Sequence, residues 1–270
     1  MKLSFSTLGC PDYDIDGIIG IAVKCGYPGI ELRAAQGTVD LCSLSSFRGA
    51  GLAETAEKLN AGGLEVSCIG SSVNFAKSCE AEKQKMLDAA KAYIELCSTL
   101  KCRYLRVFGG PLVVTQGYLE SIEAIQDGME ELCGIAEKYG VMPLLETHDD
   151  FCTAARVLDI ISGVSSENIG VLWDILHPYR YGEAVGETFA KLGGKIRHVH
   201  VKDGKALSPA NAALVLTGEG DMPIGECVSL LKENGYRGYL SLEWEKMWHT
   251  EIEGPEIALP QYVKYMGRYD

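Results

Sequence analysis

Histidines and acidic residues gather where short apolar stretches of the sequence end. The chain has five histidines, and each lies at or near the end of such a stretch: His148, His177, His198, His200 and His249. Three carboxylates interrupt or end apolar stretches in the same way, namely Glu146, Asp174 and Glu243. An unpaired charge in an apolar stretch is strongly unfavourable. Each of these carboxylates therefore requires a compensating cation.

A bound dication or a salt bridge would compensate the three carboxylates. The same stretches contain few basic residues apart from Arg106, Arg197 and Lys202, which favours a metal ion over salt bridges. Three carboxylate oxygens and one histidine nitrogen suit a fairly hard ion such as Mn²⁺ or Mg²⁺, while Zn²⁺ and Co²⁺ are also allowed. The residue types therefore predict a centre for one divalent metal.

The spacing of these residues places them on shared faces of the predicted strands. Alternate residues of a strand point to the same side. Three pairs follow from this rule: Glu146 with His148, His198 with His200, and Glu243 with Glu245. One member of each pair would bind the metal, and the other would face the substrate or support a ligand. The spacing alone leaves open which member does which.

The elements that must position these side chains repeat along the chain. An apolar run, a polar or glycine-bearing loop and a stretch with helical periodicity recur roughly every 30 residues. We predict strands at 3–8, 29–32, 64–69, 104–108, 142–146, 169–173, 196–201 and 239–244. The helical pattern is clearest at 80–100 and 118–139. Several helical stretches end in glycine before the next strand, as helices commonly do.

Eight strands that alternate with helices predict a single (β/α)8 barrel covering residues 1–270. Parallel neighbours need long return connections, and the length of 270 residues is close to the roughly 250 of such barrels. An open doubly wound sheet is the alternative, but no G-x-G-x-x-G follows the first strand. The stretches 33–40, 70–78 and 203–221 each follow a strand, and we predict them as loops on the active-site face.

Composition and charge exclude several classes of protein. A net charge of −12 disfavours a surface that neutralises phosphate backbones, so we expect no nucleic-acid partner. No apolar stretch approaches the roughly 18 residues that cross a membrane, and the first residues lack the apolar core of a secretion signal. The ten cysteines are scattered without a C-x-x-C pair. They fit the reduced thiols of a cytoplasmic protein.

Short motifs follow the predicted strands in a fixed order. They are STLGCP (6–11), GIELR (29–33), RVFGG (106–110), LETH (145–148), DILHP (174–178), HVHVKD (198–203), GEGD (218–221) and LEWE (242–245). In this order they resemble the sugar phosphate isomerase/epimerase family, the xylose isomerase-like TIM barrels. Relatives in that family include tagatose epimerases, inosose isomerases and dehydratases, and AP endonucleases. The resemblance covers nearly the whole chain.

The resemblance implies one metal held by four residues: Glu146, Asp174, His200 and Glu243. His200 is preferred to His198 because the family's ligand directly precedes the Val-Lys-Asp stretch. Glu243 is preferred to Glu245 because the ligand follows a Ser-Leu pair. The neighbouring polar residues then become substrate-binding or supporting groups: His148, His177, Asp203 and Glu245.

The same resemblance implies an enzyme that isomerises or epimerises a keto-sugar, sugar phosphate or inosose through an enediolate. Glu146 and Glu243 would form its acid/base pair. Arg33 and Arg106 are candidates for binding a phosphate or carboxylate of the substrate, because arginine forks onto oxyanions; a rim salt bridge is the alternative. We expect Glu31 to pair with Arg33, two residues along the same face.

Other functions stay open at this point. A dehydratase would use the same metal and base on an inosose-like substrate. A nuclease related to AP endonucleases shares the fold but conflicts with the net charge of −12. A non-catalytic carbohydrate-binding protein is the third alternative, since fold does not fix function. The expected partner is a small carbohydrate, and a homo-oligomer is left open.

Overall fold

Eight parallel strands surround a common axis in the computed structural model, which describes residues 1–269. These residues form ten strands: β1 Lys2–Phe5, β2 Gly29–Leu32, β3 Glu65–Asn74, β4 Tyr104–Phe108, β5 Met142–Glu146, β6 Gly170–Asp174, β7 Ile196–Val201, β8 Asp203–Ser208, β9 Asn211–Val215 and β10 Tyr239–Leu242. Eight of them pair in the order β1-β10-β7-β6-β5-β4-β3-β2. A parallel bridge between Ser6 and Glu31 joins the two ends of this order and closes the barrel.

Helices cover the outside of the barrel. They are α1 Ile15–Cys25, α2 Gly49–Ala61, α3 Glu80–Thr99, α4 Tyr118–Glu137, α5 Ala154–Ile161, α6 Leu176–Arg180, α7 Val185–Leu192, α8 Ile224–Glu233 and α9 Pro255–Met266. Helix α1 shows how the sequence sets their ends. The Asp14 carboxylate accepts a hydrogen bond from Gly17 N at its start. Gly26 ends it in the left-handed region, at φ 76°, as a helix-terminating glycine does.

The apolar core has two parts of very different size. A large outer shell packs the strands against the helices, with Ile18, Leu105 and Val171 among its fully buried members. The second part is a small inner plug of Cys68, Met142, Leu144 and Leu172 inside the barrel. Much of the remaining barrel interior is lined with buried polar and charged side chains, which are unusual in a core unless they are paired. Apolar packing between the strands and the surrounding helices therefore stabilises most of the barrel, and the polar side chains of its interior are available for chemistry.

The predicted (β/α)8 barrel is confirmed, and every predicted strand overlaps an observed one. Strand β1 stops at Phe5 because the next residues form a tight turn, in which Ser6 Oγ accepts a hydrogen bond from Leu8 N. Strand β10 stops at Leu242, so Glu243 lies just beyond it. Among residues 1–269, no helix is both long and apolar enough to cross a membrane.

Two of the predicted loops are wrong in part, because they contain strands. Strand β3 continues to Asn74, well into the predicted loop 70–78. The segment 203–221 contains the antiparallel hairpin of β8 and β9, which stands apart from the barrel sheet. The hairpin was missed because its strands carry little of the apolar alternation that marks a half-buried strand.

Candidate metal centre

Four predicted ligands meet at one end of the barrel. Glu146, Asp174 and His200 lie in the last two residues of β5, β6 and β7, and Glu243 directly follows β10. Parallel strands bring their carboxyl ends to one rim, and each side chain is almost completely buried. One potential ligand atom from each residue lies within 4.8 Å of the others. The four residues therefore form one compact cluster.

The donor set of this cluster fits a divalent metal. His200 Nδ1 lies 3.1 Å from Glu146 Oε1, 3.3 Å from Glu243 Oε1 and 3.9 Å from Asp174 Oδ2. Within residues 1–269, Glu146 Oε2 and Asp174 Oδ2 are buried without a well-directed hydrogen bond. Three converging carboxylates repel one another when no cation lies between them. A dication at their centre would relieve that repulsion and use the unsatisfied oxygens.

Two basic side chains also reach these acids. The buried Lys202 Nζ lies 2.9 Å from Asp174 Oδ2, 2.6 Å from Glu243 Oε2 and 2.5 Å from Glu245 Oε1. Arg106 Nε lies 3.3 Å from Glu146 Oε2. Salt bridges and a metal centre are therefore not alternatives here, contrary to the expectation from the scarcity of basic residues. The two basic side chains contribute positive charge to the cluster, and a metal bound there would add to it.

The pKa values of two acids in the cluster are shifted in opposite directions, Asp174 upward and Glu243 downward. Burial raises the pKa of Asp174 to about 6, and the charge of Lys202 only partly opposes this. Burial acts on Glu243 in the same sense, but the charges of His200 and Lys202 together hold the pKa of Glu243 well below its usual value. Asp174 is therefore protonated more readily than Glu243.

Glu31 belongs to this site, and its predicted pairing with Arg33 is wrong. Its fully buried carboxylate accepts hydrogen bonds from His198 Nε2 at 2.8 Å and from His200 Nε2 at 2.9 Å. Arg33, the expected partner, donates instead to Val39 O at 3.3 Å and to Ser72 Oγ at 3.0 Å. The sequence does indicate a special role for Glu31, because this acid interrupts an apolar run just as the predicted ligands do.

The two histidines predicted to face the substrate lie beside the cluster. His177 Nε2 is 3.3 Å from Lys202 Nζ and 3.8 Å from Asp174 Oδ2. Burial and the charge of Lys202 hold the pKa of His177 well below its usual value, which keeps the ring neutral. The ring of His148 packs against that of His177 with centroids 4.6 Å apart. Both imidazoles therefore border the potential metal position.

The two predicted oxyanion-binding arginines lie side by side. A Cβ at Gly70 would lie 2.7 Å from Arg33 Cδ and 2.9 Å from Arg106 Nη2, so the missing side chain makes room for both. Within the described residues, Arg106 Nε and Nη1 are buried without hydrogen-bond partners. Burial and the charge of Arg106 lower the pKa of Arg33 to about 10. Arg33 already donates to a backbone carbonyl and a serine hydroxyl. Arg106 Nε is ion-paired with Glu146, so Arg106 Nη1 is the donor best placed to bind an oxyanion as a further partner.

The last two predicted substrate-binding residues have different surroundings. Glu245 bonds to Lys202 and lies at the rim of the cluster. Asp203 uses both carboxylate oxygens on backbone amides, accepting from Gly204 and Met222 at Oδ1 and from Gly218 and Gly220 at Oδ2. These bonds fasten the hairpin to the segment that follows it. Contact between Asp203 and a substrate stays a prediction.

The fold agrees with the comparison to known proteins. Residues 19–262 match the family described as xylose isomerase-like TIM barrel. The chain belongs to this family. The resemblance noted in the sequence is thereby confirmed for a xylose isomerase-like barrel.

Relatives of this barrel carry several related activities. Fructoselysine 3-epimerase of Shigella flexneri is 28% identical over 93% of this chain and 92% of its own. Inosose isomerase of Bacillus velezensis is 27% identical over 82% of this chain and 79% of its own. The IOLI protein, solved with a bound zinc atom, superposes with a TM-score of 0.80 at 22% identity over 100% of this chain and 96% of its own.

Proposed function

We propose that the protein is a metal-dependent isomerase or epimerase of a small keto-sugar, sugar phosphate or inosose. The observation that carries this proposal is the convergence of Glu146, Asp174, His200 and Glu243, with ligand atoms within 4.8 Å of one another. Family membership and the names of the relatives, a fructoselysine epimerase and an inosose isomerase, support the substrate class. Mn²⁺ is the preferred ion because oxygen ligands predominate, and Zn²⁺, Mg²⁺ and Co²⁺ are alternatives.

Glu146 and Glu243 are proposed as the acid/base pair. A metal at the four ligands would polarise a carbonyl and acidify the adjacent C–H. Glu146, at the end of β5, and Glu243, just after β10, lie 3.1 and 3.3 Å from His200 Nδ1. One would remove the proton from the substrate carbon, and the other would return a proton on the opposite face to invert the centre, as general acid–base catalysis requires. Arg106 lies beside Glu146 and Lys202 beside Glu243, where each favours the charged form of the carboxylate that acts as the base; the carboxylate that returns a proton would do so from its protonated form.

The remaining polar residues are proposed to bind the substrate. His148, His177 and Glu245 border the cluster and offer hydrogen bonds to hydroxyl groups. Arg33 and Arg106 are proposed to bind a phosphate or carboxylate where the substrate carries one. This assignment predicts that neutral and anionic substrates depend differently on the two arginines.

Metal analysis of the purified protein, followed by a substrate panel, tests the proposal. The metal-free protein is reconstituted separately with Mn²⁺, Zn²⁺, Mg²⁺ and Co²⁺ and given ketoses, ketose phosphates and inososes in deuterium oxide. We expect metal-dependent incorporation of deuterium at a single carbon. Loss of water from the substrate would identify a dehydratase instead. Binding of sugars without exchange would reject catalysis.

Two variants test the acid/base pair directly. Glu146→Gln and Glu243→Gln are expected to lower turnover by at least about 10²-fold, the lower range for general acid–base catalysis. Glu65→Gln is a matched control, because Glu65 also accepts hydrogen bonds from two side chains, Lys2 and Tyr239, but lies at the start of β3. Full activity in either site variant, with the fold intact by circular dichroism, would reject the assigned roles.

A further inference from the structure

The Glu31 carboxylate lies between two imidazoles inside the barrel. Its oxygens accept from His198 Nε2 at 2.8 Å and from His200 Nε2 at 2.9 and 3.0 Å. All three side chains are completely buried. Glu31 comes from β2, whereas both histidines come from β7, so the contact crosses the barrel interior. A carboxylate in this position fixes which nitrogen of each ring carries a proton.

The two nitrogens of His200 have different neighbours. Nε2 faces Glu31, while Nδ1 faces Glu146 at 3.1 Å and Glu243 at 3.3 Å. A neutral imidazole has one N–H donor and one lone pair. A carboxylate can only accept, so a hydrogen bond to Glu31 requires the proton on Nε2. Nδ1 hydrogen-bonds to Glu146 in the absence of a metal; a bound metal would displace the Nδ1 proton, and the lone pair of Nδ1 would then be directed at the metal.

We propose that Glu31 is a positioning residue that holds His200 as the Nε2–H tautomer and aims Nδ1 at the metal. The inference rests on the proposed metal centre. Histidine ligands in proteins usually donate their second N–H to a carboxylate or carbonyl, and loss of that partner typically weakens metal binding 10–100-fold. His198 completes the arrangement by donating to the other side of Glu31 and limiting how that carboxylate can rotate.

A second metal at Glu31, His198 and His200 is the competing explanation, because their ligand atoms also lie close together. It requires His200 to bind metal through both nitrogens and to lose both ring protons. It also leaves the second ion with only three ligands among the described residues. Hydrogen bonding by Glu31 needs neither condition. Metal stoichiometry distinguishes the two explanations.

The test compares metal binding by wild-type protein, Glu31→Gln and Glu65→Gln. Each is stripped of metal and titrated with Mn²⁺ by calorimetry, and Co²⁺ absorption spectra report the ligand geometry. The Gln amide can donate to His200 Nε2 and would favour the tautomer with Nδ1–H. We expect one ion per wild-type chain, affinity lowered 10–100-fold in Glu31→Gln, an altered Co²⁺ spectrum, and wild-type behaviour in Glu65→Gln.

Each other outcome counts against a specific statement. Equal affinity and an unchanged Co²⁺ spectrum in Glu31→Gln overturn the inference while leaving the proposed metal centre intact. Two ions per wild-type chain, with one lost in Glu31→Gln, make Glu31 a ligand and also overturn it. Absence of metal binding by the wild-type protein rejects the proposed function itself.

A measurement on the wild-type protein covers the case in which Glu31→Gln does not fold. Nitrogen-15 spectra of histidine-labelled, Zn²⁺-loaded protein report the protonation of each ring nitrogen. We expect His200 to bind through Nδ1 and to carry its proton on Nε2. Binding through Nε2 would overturn the inference without any variant.

Discussion

Replacement of Lys202 by methionine removes a positive charge that contacts three carboxylates of the site, and it therefore tests how the charges of the cluster are balanced. Lys202 is 1% exposed and contacts Asp174 and Glu243 at 2.9 and 2.6 Å. Removing one partner of a buried ion pair typically destabilises a protein by about 3–5 kcal/mol, because the other charge is left uncompensated. Since about 1 kcal/mol shifts Tm by roughly 2–4 °C in domains near this size, the metal-free variant should melt roughly 6–20 °C below wild type.

A bound metal should reverse much of this loss. In the wild-type protein an ammonium and a dication would share Asp174 and Glu243. Two unit charges about 4 Å apart repel by about 4 kcal/mol at an effective dielectric constant near 20, so an ammonium and a dication at that separation would repel by about 8 kcal/mol. Lys202→Met removes that repulsion. We therefore expect the variant to bind Mn²⁺ more than about tenfold more tightly, and the difference in Tm to narrow when metal is in excess.

Differential scanning calorimetry in chelator and in excess Mn²⁺, together with calorimetric metal titration, provides both readouts. Lys191→Met is the matched control, because Lys191 is partly exposed and lies 3.9 Å from Glu183, where an ion pair contributes little. An unchanged Tm of the metal-free Lys202→Met protein would refute the view that Lys202 neutralises the cluster. Weaker Mn²⁺ binding by the variant would show that Lys202 supports the metal rather than competing with it.

Two further predictions concern the scaffold around the site. Asp203→Asn should loosen the hairpin of β8 and β9. The Asp203 carboxylate accepts from four backbone N–H groups through both of its oxygens, and an amide has only one oxygen that can accept. We expect limited proteolysis within 204–222 to become faster in the variant, and an unchanged rate would contradict this expectation. Gly128→Ala should lower the free energy of unfolding by about 1–3 kcal/mol, since its Cβ would lie 2.3 Å from Phe75 Cγ. Urea titration measures this against Gly134→Ala, a control on the same helix with open space at the Cβ.

The barrel and the gathering of acids and histidines at one rim were accessible from the sequence because both depend on local order, whereas the choice of four ligands among these residues came from the resemblance to a known family. Apolar runs alternate with helical stretches, and the residue that ends each run must lie at the rim where parallel strands finish. Glu146, Asp174 and His200 follow this rule, and the structure brings them together with Glu243. Their role as ligands stays a prediction that the metal titrations test.

Contacts across the barrel could not be inferred in the same way. Alternation shows that Glu31 points inward, but the strand order and closure decide that it meets His200 rather than its chain neighbour Arg33. Lys202 was counted as one of too few bases, yet a single ammonium contacts three carboxylates because they converge on it. The motif around Asp203 predicts contact with a substrate, but it does not show the backbone N–H groups that Asp203 binds, because these lie up to 19 residues further along the chain.

The separation of the apolar core into a large outer shell and a small inner plug bears on how this protein can change. Substitutions at the mouth but outside the buried charged cluster leave the packing between strands and helices untouched, so new specificities can arise there with a modest loss of folding stability. The inner plug is too small to stabilise the barrel by itself, and it closes the barrel interior beneath the charged cluster. Directed evolution confined to rim residues outside the charged cluster should therefore tolerate many simultaneous changes, whereas the same number of changes beneath the helices would not.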